Sequence, residues 1–175
     1  MEFPIRYREI TLRPEVLTDG PQMKAFRDKL IDERAFIGSN AKRTVEEWNK
    51  NIENAVSMMD TNKAVMLIAE KAEEIVGLAS IFMQSGKMDH FGGFGIMVDK
   101  SVRNQGLGTK MMDVVIQWGK EHLLGLECIE LGVIPANLPA MKLYQNAGFE
   151  TVARLPKKLK HFGMYHDEEI MFLWV

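Results

Sequence analysis

Between Gly95 and Lys120 the chain reads "GIMVDKSVRNQGLGTKMMDVVIQWGK": a strand-like run, two closely spaced glycines, then a long stretch of helical periodicity. Apolar residues fall at Leu107, Met111, Val114, Val115 and Trp118, the i, i+4, i+7, i+8, i+11 spacing of one buried helix face. Gly106 and Gly108 therefore stand at the mouth of that helix. First-turn N–H groups there have no internal partner, and the helix dipole is positive. Such a turn receives anions, phosphates above all. Glycine suits it because no Cβ keeps an oxygen from the backbone. Arg103 adds a positive charge one turn upstream.

The motif alone leaves several readings open. A P-loop needs G-x-x-x-x-G-K-[ST], whereas "GLGTK" puts Thr109 between glycine and lysine. A dinucleotide fingerprint needs a third glycine where Met111 stands. A glycine turn with no ligand is the remaining option.

The flanking segments define a fold class. "YREITLRP" reads as a strand stopped by Pro14, followed by helices over about Pro21–Arg34 and Thr44–Met59. Thr44 and Glu47 have the spacing of a capping box at the second helix. "KAVMLIAEK" and "EIVGLASIFMQ" form a predicted antiparallel hairpin turning at Ala72–Glu73, and "FGGFGIMVD" is a further strand. After the glycine loop the order is helix, strand ("CIELGVI"), helix ("ANLPAMKLYQNAG"), strand ("FETVARL") and final strand ("EEIMFLWV"). Antiparallel strands followed by a β–α–β unit predict an α/β (α+β) chain: one mixed sheet with flanking helices. No linker, repeat or low-complexity tract interrupts it, so residues 1–175 are expected to form a single domain.

Composition narrows the function classes. Net charge is −2 and the pI about 6.1, so no global basic field recruits nucleic acid or a membrane surface. The single cysteine, Cys128, lies in the apolar "LECIEL" and reads as a buried structural thiol. The four histidines show no paired-ligand spacing, so no metal is expected. The N-terminus "MEFPIRYREI" has no apolar targeting core, and the default location is cytoplasmic.

Downstream, Pro135 closes a strand, Asn137 has the type and place of an N-cap, and Pro139 fits a first turn. Gly148 is a natural helix terminator. Asn137 and Tyr144 are seven residues apart, so they share one side of a helix.

Two motifs together resemble the GNAT N-acetyltransferase superfamily: Arg103-x-x-Gly106-x-Gly108 after "GIMVDKSV", and Asn137-x-x-Ala140-x-x-Leu143-Tyr144-x-x-x-Gly148-Phe149. The resemblance implies the GNAT fold, with a mostly antiparallel sheet and one splayed parallel pair. It implies acetyl-CoA as cosubstrate, held by Ile96, Met97 and Val98 along the pantetheine. It also implies a diphosphate wrapped by the backbone of Arg103, Asn104, Gln105, Gly106, Leu107, Gly108 and Thr109, with Asn137 beside the CoA arm. Tyr144 is the implied acid for the departing thiolate, and a freed N–H near Met97 or Val98 the implied oxyanion donor.

The match breaks at the base. Gly93 in "HFGGFGI" and Gly132 in "IELGV" occupy the two positions where members of this family carry a glutamate. The expected reaction is direct acetyl transfer, in a ternary complex, to a primary amine of a small molecule or of a peptide or protein N-terminus. A non-catalytic acyl-CoA-binding module is the alternative. The acceptor is expected between the first two helices and a basic loop, "PKKLKHFGMYHDEE", joining the last two strands. The apolar final strand reads as a sheet edge that a homodimer would cover.

Overall fold

A computed structural model describes residues 1–175. Its strands are β1 (Ile5–Tyr7), β2 (Ile10–Pro14), β3 (Ala64–Lys71), β4 (Glu74–Met83), β5 (Phe91–Val98), β6 (Cys128–Val133), β7 (Glu150–His161) and β8 (Met164–Trp174). The helices are α1 (Gly20–Asp32), α2 (Val45–Asp60), α3 (Leu107–His122) and α4 (Leu138–Asn146). All eight strands join one sheet in the order β1-β2-β3-β4-β5-β6-β8-β7. Only the β5–β6 pair is parallel.

Strand β3 shows why the sheet is covered on both faces. Ala64 through Ala69 are all buried, because alternate side chains enter opposite cores. Val65, Leu67 and Ala69 join α3 residues Met111, Met112 and Val115. Met66 and Ile68 join Met23, Phe26 and Leu30 of α1, with Ile52 of α2. Truncating a fully buried residue such as Leu67 to alanine costs about 2–5 kcal/mol.

Local sequence chemistry held at the helix ends. Thr44 and Glu47 close the capping box: Glu47 N–H donates to the Thr44 hydroxyl at 3.2 Å, and Thr44 N–H to the Glu47 carboxylate at 2.8 Å. Gly148 ends α4 with φ +92°. The β3–β4 hairpin turns at Ala72 and Glu73, both at positive φ.

Three expectations are corrected. "YREITLRP" is not one strand, because the chain reverses at Arg8, which has φ +55°, and splits it into β1 and β2. "PKKLKHFGMYHDEE" is not a loop but the ends of two long strands joined at Phe162–Gly163, with Leu159 paired to His166 and Lys160 to Tyr165. Most of β7 is exposed, so no alternating apolar face marks the stretch as strand in the sequence. The final strand β8 is no edge either, since β6 and β7 flank it. The sheet ends in β1 and β7, so an uncovered final strand gives no reason for a dimer. No helix is long and apolar enough to cross a membrane.

Candidate active site

The parallel pair parts soon after it forms. Phe91, Gly92 and Gly93 pair with Cys128, Ile129 and Glu130, and pairing stops there although both strands continue. Antiparallel pairing to β4 persists along β5 through Val98. The two strands therefore leave a gap between Phe94–Val98 and Leu131–Val133.

Backbone alternation decides which amides face that gap. Asp99 N–H donates to Val76 O at 2.8 Å, on the β4 side. Met97 and Gly95 face β4 in the same way, while Phe94, Ile96 and Val98 face the gap. Of the two amides expected as oxyanion donors, Val98 is thus the available one, and Met97 is committed to the sheet. The Val98 carbonyl is itself taken, accepting from Arg103 Nε at 2.9 Å.

Below the gap lies the glycine loop. Asn104 and Gly106 both sit at positive φ, +59° and +80°, a turn conformation glycine and asparagine tolerate. The first helical bond of α3 runs from Lys110 N–H to Gly106 O at 3.0 Å. The N–H groups of Leu107, Gly108 and Thr109 thus lie before the intrahelical ladder begins. Gly106 has no room for a side chain, since a Cβ would stand 2.8 Å from the Tyr7 hydroxyl. At Gly108 a Cβ would make only an ordinary contact, 3.5 Å from Leu143 of α4.

Helix α4 supplies the far wall. Asn137 occupies the N-cap position, but its side chain makes no cap hydrogen bond, so the expected capping role is not what holds it. Tyr144 is buried and packs edge-on against Phe94, ring centroids 6.0 Å apart. Burial pushes its phenol up to about 12, so it stays protonated at neutral pH.

A cavity of about 450 Å³ joins these parts. Ile96, Met97, Val98, Arg103, Asn104, Gly106, Gly108, Thr109, Asn137 and Tyr144 all line it. Gln105 and Leu107 do not: the Gln105 amide donates to Ser101 O at 3.2 Å, and the Leu107 side chain is core. Arg103 is no free cation, because its guanidinium is ion-paired with Glu33 at the end of α1. The sequence reading missed Ala35, Phe36 and Ile37, which follow α1 and line the cavity's other end. The apolar "AFI" after the helix is the signal that was there to read. Tyr7 was also missed, and no local pattern marks it.

The cavity thus runs from bare helix-start amides, past a row of unpaired strand backbone, to an apolar mouth on the opposite face of the sheet. This shape can hold a phosphorylated, extended thioester and present its acyl end to a second molecule. The sequence model of the Acetyltransferase (GNAT) family matches residues 27–149. The chain belongs to this family, as an acetyl-CoA-dependent N-acetyltransferase. It is 22% identical over 172 residues to the probable N-acetyltransferase YjcK of Bacillus subtilis, spanning 95% of this chain and 94% of that one. It is 32% identical over 99 residues to the L-amino acid N-acetyltransferase AaaT of Escherichia coli, spanning 56% of this chain and 60% of that one. Its fold superposes on a ribosomal-protein-S5-alanine acetyltransferase from Vibrio fischeri with a TM-score of 0.86 at 19% identity, over 99% of this chain and 97% of that one.

Proposed function

We propose that the protein moves an acetyl group directly from acetyl-CoA to a primary amine, of a free amino acid or of a peptide N-terminus, within a ternary complex. One observation carries the reading. A single cavity lined by Gly106, Val98 and Tyr144 at one end opens at Phe36 on the other side of the sheet, so two substrates reach one point from opposite faces.

In this reading the first-turn amides of α3 bind the diphosphate, and Ile96 and Val98 bind the pantetheine as an added strand would. Val98 N–H donates to the thioester carbonyl as it becomes an oxyanion. Tyr144 gives its proton to the departing sulfur; its raised affinity for that proton keeps the acid form loaded. Cys128 takes no part, since it is fully buried in β6 and burial raises its thiol above the usual range. That supports direct attack over an acyl-enzyme. The named activities of AaaT and of the S5-alanine enzyme support the two acceptor types.

The test is thiol release from acetyl-CoA with L-amino acids and short peptides offered one at a time. Acceptor-dependent release supports the proposal and selects between the two acceptor types. Binding of acetyl-CoA without release for any amine favours the non-catalytic module instead.

A further inference from the structure

An acceptor amine is mostly protonated at neutral pH, with an amino-acid or lysine-like pKa of roughly 8–10, and a protonated amine cannot attack a thioester. Some group must take that proton. The strands beside the gap are bare where such a group would be sought. A Cβ on Gly93 would meet nothing nearer than the Phe82 carbonyl at 3.9 Å, and one on Gly95 nothing nearer than the Ser80 hydroxyl at 3.7 Å.

Gly132 is different. A Cβ there would lie 2.3 Å from Oε1 and 2.8 Å from Cδ of Glu168, so the glutamate carboxylate occupies the space a side chain at 132 would fill. Strand register fixes the face. Gly132 pairs with Ile170 and Glu130 with Phe172 on β8, and Glu130 pairs with Gly93 on β5. Glu168, two residues from Ile170, therefore points to the face shared by Gly93, Gly95 and Gly132. That face continues as Met97 on β5 and Phe82 on β4, which pack against the cluster that holds Phe26 and Leu30 of α1. It is the face on which the cavity opens.

The mouth itself touches the same strand. Phe36, a lining residue, packs edge-on against His166 at 5.7 Å between centroids, and His166 is two residues from Glu168 on the same face of β8. The Glu168 side chain is 13% exposed, and Oε2 lies 2.6 Å from Lys158 Nζ. That approach is too poorly aligned for a hydrogen bond, and Oε2 is left without one; His166 Nε2 is likewise buried and unpartnered.

We propose that Glu168 is the carboxylate that receives the acceptor's ammonium group and takes its first proton, reaching from β8 over Gly132 into the bare strand pair. The inference rests on the acetyl-transfer reading above. In the step, R–NH3+ gives one proton to Glu168, which passes it to water. The neutral nitrogen bonds to the acetyl carbon and the C–S bond breaks. The nitrogen's surplus proton is lost to water, and Tyr144 supplies one to the sulfur and recovers it from solvent. One proton is released per acetyl transferred. Gly132 is small because the carboxylate passes over it, and the Lys158 ammonium approaches the carboxylate from the β7 side.

The full chain is assayed with acetyl-CoA and a panel of L-amino acids and tripeptides bearing free N-termini, from pH 6 to 10. The charged group in contact with Glu168 is Lys158 on β7; His166 shares its face on β8, and Glu130 on β6 faces the same side further along, opposite Phe172. Glu168→Gln is expected to lower kcat/KM for the amine about a hundredfold at pH 7, with acetyl-CoA affinity within twofold of wild type. Its deficit should shrink toward pH 10, where the amine arrives neutral; a structural role would not give that trend. Gly132→Ala, which leaves the carboxylate chemically intact but displaces it, should reproduce the loss. Glu130→Gln should leave turnover within threefold. A Glu168→Gln enzyme with more than half the wild-type rate, or with the same deficit at pH 7 and pH 10, would overturn the role while leaving the enzyme reading intact. So would a loss found in Glu130→Gln instead. No turnover by the wild type with any amine in the panel would overturn the proposed acceptor class, and this role with it.

Discussion

The Tyr7 hydroxyl donates a 3.0 Å hydrogen bond to the carbonyl of Gln105, tying the first strand of the sheet to the glycine loop 98 residues away. The same oxygen lies 2.8 Å from where a Cβ on Gly106 would stand. The loop is therefore held from outside as well as shaped by its own left-handed residues.

Gly106→Ala should meet both constraints. The residue sits at φ +80°, which costs about 1–2 kcal/mol for an L side chain, and the new methyl displaces Tyr7. Acetyl-CoA affinity should fall at least tenfold by calorimetry. Tyr7→Phe removes only a hydrogen bond worth about 0.5–1.5 kcal/mol, so its affinity should fall about three- to tenfold. Unchanged affinity in Gly106→Ala would remove the loop from the binding site.

Tyr144→Phe should leave acetyl-CoA affinity unchanged and lower kcat by up to about a hundredfold, the small end of general-acid effects because a thiolate leaves readily. With the phenol raised to about 12, no alkaline loss of activity from this group should appear below pH 10. A fall in rate centred near pH 9 that vanishes in Tyr144→Phe would contradict that environment.

Glu15 carries a pH-dependent cost. Burial, then the nearby Asp19 charge, raises its carboxyl from 4.5 to about 7, against the opposing pull of Arg13. The folded state holds this proton more tightly than the unfolded chain. Stability from this group is therefore complete below about pH 4.5 and lost as pH rises to about 7, an effect on the order of 3 kcal/mol. Glu15→Gln should be close to neutral at pH 5 and stabilising at pH 8, measured by urea unfolding at both.

The β3–β4 turn places Ala72 at φ +47° and Glu73 at φ +64°. A two-residue hairpin with both central residues left-handed favours Asn-Gly. The double change Ala72→Asn, Glu73→Gly should add about 1 kcal/mol and raise Tm by roughly 2–4 °C. A lower Tm would show that the wild-type side chains contribute more to the turn than their strain costs it.

What could be read from the chain itself was what local chemistry controls. The helix stripe from Leu107 to Trp118, the Thr44–Glu47 cap, the Gly148 terminator and the Ala72–Glu73 turn each depend on residues a few positions apart, and each formed as expected. Ten of the twelve residues expected at the site line one cavity, because the loop and the α4 segment carry their own geometry. The tertiary structure alone decided the rest. Arg103 has the type of a phosphate ligand, but α1 brings Glu33 to it. Met97 and Val98 are neighbours in sequence, yet pairing with β4 takes the amide of one and leaves the other. β8 comes last in the chain and yet lies inside the sheet, between β6 and β7. Tyr7, Phe36 and Glu168 reach the site only through strand pairings and packing between segments far apart in the chain. Strand register is set by the whole sheet, and a shift of one residue would turn Tyr7 or Glu168 to the other face.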